Sequence, residues 1–181
     1  MRAGKGRSLT EREFRAAFLD HKDAVYRFAW RMMNSPAAAE DIAQDAFLAL
    51  LRHPGRFDGC RGSLRSFLFG VARNLVLKRW REEHRWEPLD DDAFVFPAAE
   101  RGADVAEVIG AAVRALPPLQ REALILAEYE QMSLEEIATA VVAEVGTVKS
   151  RLHRARENLR SALAPLWESM GRGRNHYGTD E

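Results

Sequence analysis

The stretch Val145 to Arg160, VGTVKSRLHRARENLR, constrains this chain most, because its apolar residues recur at helical period. Val148, Leu152, Ala155 and Leu159 make one stripe, while Thr147, Lys149, Ser150, Arg151, His153, Arg154 and Arg156 occupy the other faces. One face docks and the others meet solvent or a ligand. Lys149, Arg151, Arg154, Arg156 and Arg160 outweigh Glu157, and the short hydroxyls near the helix start suit hydrogen bonding to base edges or phosphates. A charged face taken alone is also what an ordinary solvated surface looks like, so the reading depends on what precedes it.

Upstream, Ser133 and Glu136 have the spacing of a capping box, in which two side chains satisfy two orphaned backbone N–H groups at a helix start. Leu134, Ile137, Ala138 and Val141 are then spaced to pack beneath the basic helix. Two short helices and a tight connection form a helix-turn-helix, whose second helix enters the major groove with its N-terminal residues nearest the bases. The polar residues sit at that end.

The run EEIATAVVAEVGTVKSRLHRAR resembles the promoter-binding helix-turn-helix of bacterial sigma factors of the extracytoplasmic-function group. By that likeness, Thr147, Lys149, Ser150, Arg151, His153 and Arg154 contact the -35 element. The chain departs from the family pattern at Val142, where relatives usually carry glycine, and at Glu144, where they often carry proline. Glycine accepts a left-handed backbone that costs a residue with a β-carbon about 1–2 kcal/mol. A branched valine therefore predicts a remodelled turn.

At 181 residues the chain suits one ordinary domain or two small ones. Its formal charge of +0 hides a segregated pattern: Arg73 to Arg85 and Val145 to Arg160 are basic, whereas Glu87 to Glu107 is acidic. No apolar run is long enough for a membrane span, and the start MRAGKGRS lacks a signal-peptide core, so a cytoplasmic protein without membrane insertion is expected. Cys60 stands alone, which excludes an internal disulfide and a cysteine-pair zinc site, and the histidines lack metal-ligand spacing. No catalytic constellation emerges and GKGR lacks a phosphate-loop context, so neither enzyme activity nor a cofactor is expected.

In chain order, Thr10 and Glu13 form another capping box, followed by Phe14, Phe18, Val25, Phe28 and Met32 on one helical face. Asn34, Ser35 and Pro36 break and restart the pattern, with Ser35 as N-cap. The second helix runs to about His53, with Ile42, Ala46, Phe47, Leu50 and Leu51 inward and Glu40, Asp41, Gln44 and Asp45 outward. A loop, RFDGCRGS, precedes a third helix capped by Ser63, whose Leu64, Phe67, Leu68, Val71 and Leu75 complete a core. Arg65, Arg73, Asn74, Lys78, Arg79 and Arg81 lie elsewhere on it. Trp80 and Trp86 among these charges fit either base stacking or burial against neighbouring helices.

AEDIAQDAFLALLRHPGRFDG and GSLRSFLFGVARNLVLKRWR resemble the sigma region that grips polymerase and recognises the melted edge of the promoter. The likeness implies that Asp41, Gln44 and Asp45 dock on the coiled coil of the largest polymerase subunit. It also implies that Arg61, Ser63, Arg73, Asn74 and Lys78 serve the -10 element and melting, with Asn74 and the loop from Asp58 to Ser63 capturing an unpaired base. Phe67 replaces a more usual tryptophan, and Gln131 a more usual glycine. Partners implied are core RNA polymerase, including the flap of its second largest subunit, promoter DNA and an anti-sigma factor.

The expected architecture is all-α: an N-terminal three-helix lobe (1–86), an acidic flexible linker (87–103), a C-terminal helix-turn-helix lobe (104–170) and a disordered tail (171–181). In the C-terminal lobe, Asp104 and Glu107 open a helix to Leu116, and Pro117 and Pro118 start the next, with Leu119, Ala123, Leu124 and Ala127 packing inward. The expected function is a sigma factor that binds core polymerase, reads two promoter elements and assists melting. The alternatives are a sigma-like protein-interaction module in signalling, or a simple helix-turn-helix regulator.

Overall fold

The computed structural model describes residues 9–83 and 104–173, with side chains to residue 167. The expected linker 87–103, Trp86, the segment MRAGKGRS and residues 174–181 of the tail lie outside the described residues. Among the described residues every regular element is helical.

The N-terminal lobe consists of α1 (Glu11–Met33), α2 (Pro36–Arg52) and α3 (Leu64–Glu83). Capping chemistry sets the boundaries: the Thr10 and Glu13 side chains close a reciprocal box, and Ser35 accepts the Ala38 N–H with Pro36 in the first turn. Asn34 ends α1 in the left-handed conformation at φ 52, a state its short polar side chain tolerates. Val25, Phe28, Met32, Ile42, Ala46, Phe47 and Leu50 are buried, as the periodicity predicts. Phe18 and Leu51 are exceptions and lie exposed, and Phe14 is half-buried.

α3 differs from the sequence reading. Leu68 is buried, but Leu64, Phe67, Val71 and Leu75 are only half-buried, while Phe69, Ala72 and Val76 are fully enclosed. The cause is that α3 lies between α1 and α2 on one side and the C-terminal lobe on the other, so two faces are covered and a single stripe is not diagnostic. Phe69 meets Phe28 edge-on at 5.5 Å between ring centroids.

The C-terminal lobe comprises α4 (Val105–Ala115), α5 (Pro118–Leu124), a π-helical turn (Ile125–Tyr129), α6 (Leu134–Val141) and α7 (Val145–Gly173). Ala123, Leu124, Ile137, Val141, Val148, Leu152 and Ala155 are buried. Gln131 takes φ 53, which explains why glycine suits that position. α7 continues through Pro165 to Gly173, so the first tail residues are helical, not disordered.

The turn at Val142 is not remodelled. Val142 occupies the left-handed region at φ 52 and ψ 57, its N–H donates to the Ala138 carbonyl, and the Ala143 N–H reaches the same oxygen at 3.0 Å. The valine side chain is 88% exposed, so the fold keeps the glycine-type geometry and carries the steric cost locally. The two lobes also share one continuous apolar core, running from Val25 and Phe28 through Phe69 to Leu126, Ile137 and Leu152.

Candidate nucleic-acid interface

The helix-turn-helix is built from α6 and α7. Ser133 and Glu136 complete the expected capping box, and Ile137, Val141, Val148 and Leu152 seal the helices together. This packing leaves Thr147, Lys149, Ser150, His153 and Arg154 exposed at the N-terminal half of α7, whereas Arg151 is half-buried. Arg156, which the sequence places with the same basic face, is engaged: its Nε and Nη2 donate to Glu128 Oε1 at 3.1 and 2.6 Å. With both side chains about half exposed, that pair braces α7 against the π turn and contributes at most about 1 kcal/mol. Asn158 Nδ2 donates to the buried Gln120 Oε1 at 2.8 Å and fixes α7 on α5.

The second set of candidate residues surrounds a cleft of about 900 Å³ between the loop before α3 and the helix-turn-helix. Arg61, Ser63 and Asn74 line it on one side, and Glu135, Thr139 and Glu144 on the other. The loop is shaped by Asp58, whose Oδ1 accepts the Cys60 N–H at 3.0 Å and whose carbonyl accepts the Arg61 N–H. Ser63 Oγ accepts the Ser66 N–H at 3.1 Å and so caps α3 as expected. Phe57 and Phe67 stand 5.7 Å apart at the cleft with their ring planes tilted by 59°, an apolar corner beside cations and an amide.

Arg73 and Lys78 are placed differently from this trio. Arg73 Nε contacts Glu122 Oε2 of the C-terminal lobe at 2.6 Å and is largely covered. Lys78 stands with Asp41, Gln44, Asp45, Arg79 and Glu82 around a separate groove between α2 and α3. Asp41, Gln44 and Asp45 are all exposed there, and Arg79 Nη2 contacts Asp41 Oδ2 at 3.2 Å. Trp80 is half-buried, and its ring carries the Arg121 guanidinium at 4.9 Å, so packing accounts for this tryptophan. Burial, reinforced by the charge of Arg114, pushes the Arg121 pKa down to about 10, which leaves it cationic at neutral pH.

The pairing of Arg73 with Glu122 and the bracing of Arg156 by Glu128 leave no local signal, since their partners lie far away in the chain. Among the described residues, no group of three His, Cys, Asp or Glu side chains is arranged to hold a metal, and no helix is long and apolar enough to cross a membrane.

Residues 17–86 match the family model of Sigma-70 region 2, and residues 106–159 that of Sigma-70 region 4. The chain is 34% identical over 158 residues to the ECF RNA polymerase sigma factor SigE of Mycolicibacterium smegmatis, covering 80% of this chain and 59% of that protein. It is 38% identical over 157 residues to the RNA polymerase sigma-E factor of Streptomyces avermitilis, covering 83% of this chain and 85% of the relative. The fold is similar to the sigma factor RpoE of Bartonella quintana, solved in complex with the anti-sigma factor NepR, with TM-score 0.67, 26% identity, and coverage of 84% of this chain and 98% of that one. With both sigma regions matched in order and on the two lobes that carry the exposed basic edge and the cleft, this chain belongs to the ECF group of RNA polymerase sigma factors.

Proposed function

We propose that this chain binds core RNA polymerase, directs it to promoters carrying -35 and -10 elements, and assists opening of the duplex. The observation that carries the reading is the polar edge of α7: Thr147, Lys149, Ser150, His153 and Arg154 lie exposed at the N-terminal end of the second helix of a helix-turn-helix. That end enters the major groove in such motifs. Arg61, Ser63 and Asn74, beside the paired phenylalanines, take the unpaired base of the -10 element, and Arg73 and Lys78 contribute charge to the same strand. Stacking and cation contacts recover part of the few kcal/mol needed to lift a base from the duplex.

Asp41, Gln44 and Asp45 form the docking edge for the coiled coil of the largest polymerase subunit, and the C-terminal lobe meets the flap of the second largest. This reading places the chain in the cytoplasm with the polymerase, and assigns it no catalytic step of its own. An anti-sigma factor is a further partner, supported by the similar sigma factor solved in complex with one. The test is reconstitution: purified chain and bacterial core polymerase should together start transcription at a specific promoter selected from genomic DNA. A chain that leaves core polymerase unbound, yet binds a palindromic operator as a dimer or a regulatory protein, would instead be a simple regulator or a signalling module.

A further inference from the structure

We infer that the outer face of α1 is a self-association surface, on which two copies of this chain pack their first helices antiparallel about a two-fold axis between Lys22 and Asp23. The pairing is independent of the sigma-factor reading. One side of α1 is committed to the fold, where Val25, Phe28, Ala29 and Met32 are buried. On the opposite side Leu19 is 57% and Trp30 41% exposed, with half-buried Tyr26 between them. Intervals of seven and four residues put these three on one line along the helix, which Arg15 and Met33 extend at either end. From Arg12 to Met33 that line runs about 32 Å at about 1.5 Å per residue. None of these side chains lines the cleft or the groove between α2 and α3. Single exposed apolar residues are ordinary on a protein surface, but aromatic residues, methionine and arginine gathered in one row are the composition of an interface centre.

Self-complementarity identifies the occupant. In an isologous contact each residue faces the one equally far from the axis on the other copy. Leu19 of one copy then faces Tyr26 of the other, and Arg15 faces Trp30, a guanidinium on an indole ring. Arg12 lays its stem along Met33, and Lys22 faces Asp23 twice, once on each side of the axis. Every member of the row finds its match within the row, and no like charges meet. In the single chain Lys22 Nζ lies 3.0 Å from Asp23 Oδ1 of the same helix. Such a pair between open neighbours contributes little, so exchanging it for two cross-copy pairs costs little. With one helix from each copy, the contact belongs to the small, weak class, and association should appear at high concentration and fade on dilution. It uses none of the side chains assigned to DNA or polymerase.

The test is sedimentation of the full-length chain over a range of concentrations, with circular dichroism as the control for folding. The wild type should approach twice the mass of one chain as concentration rises. Leu19→Glu should weaken association about tenfold or more and leave helix content unchanged, because Leu19 is exposed in the single chain. Lys22→Asp and Asp23→Lys should each weaken it several-fold, since like charges then meet, and the double variant should restore it. Orientation is read in a Cys60→Ser background under mild oxidation. There, Leu19→Cys chains mixed with Tyr26→Cys chains should link faster than either does with itself. A wild type that stays monomeric throughout, single charge variants that associate like wild type, or a double variant that fails to recover would each overturn the inference. Faster linking of like cysteine chains would overturn the antiparallel packing. A monomeric wild type whose binding to core polymerase falls with Leu19→Glu would overturn it as well, and give the row to polymerase.

Discussion

The two surfaces proposed to read DNA are built in opposite ways. The edge of α7 is one helix face, exposed along Thr147, Lys149, Ser150, His153 and Arg154 and held by Val148, Leu152 and Ala155 beneath it. The cleft beside α3 is composite: a loop supplies Arg61 and Ser63, a helix supplies Asn74, and the opposite lobe forms the other wall. A surface on one helix needs only its own periodicity to be positioned, whereas a composite surface depends on how distant segments pack. The first surface is exposed along one helix, while the second is faced across the cleft by Glu135, Thr139 and Glu144 of the C-terminal lobe.

The largest effect should come from neither surface. Reversing Asp41 and Asp45 to lysine in the full chain should abolish core polymerase binding, measured by co-elution or fluorescence anisotropy, and leave binding of α7 to duplex -35 DNA unchanged. Both acids lie exposed on α2, away from α7, so the substitutions cost the core nothing. Retained polymerase binding would move the docking edge elsewhere and break the proposed division of labour.

The comparison extends to what was legible in the sequence. Helix starts were readable because capping is local: Thr10 with Glu13, Ser35 with Pro36 and Ser133 with Glu136 all function as their spacing predicts. The stripe of α7 was equally plain. The buried set of α3 was not, since Phe69, Ala72 and Val76 are enclosed only because a second lobe covers that helix. Nor was the bond from Arg73 to Glu122, whose partners are 49 residues apart. The π turn at Ile125–Tyr129 also has no recognisable sequence signal, yet it leads directly to Glu130 in the interlobe contact. Val142 shows the converse case, where tertiary packing holds a turn against the preference of its own residue.

A smaller effect sharpens that last point. Val142→Gly should stabilise the chain by about 1 kcal/mol, because it relieves a left-handed β-branched residue, partly offset by the greater freedom of glycine in the unfolded state. Calorimetry should show the melting temperature rise by about 2–4 °C. With the side chain 88% exposed, little packing is lost to mask the gain. A fall in melting temperature would show that the turn takes another geometry in solution.

The smallest effect concerns the composite surface. Cys60 is exposed on the loop before α3, and its backbone N–H, not its thiol, makes the bond to Asp58. Alkylation should leave open-complex formation unchanged. A marked loss would extend the base-capturing surface to this thiol and make the loop less tolerant than its geometry implies.

The central claim, that two lobes read two separate promoter elements, is tested most directly by footprinting the reconstituted polymerase complex on one promoter with Arg154→Ala and Asn74→Ala chains. Arg154→Ala should weaken protection of the upstream element by about 1–3 kcal/mol of binding and relax base preference at one position there. Asn74→Ala should leave that protection intact and reduce permanganate reactivity of unpaired thymines in the downstream element. Both substitutions weakening the same element, or neither changing either one, would contradict the two-lobe division.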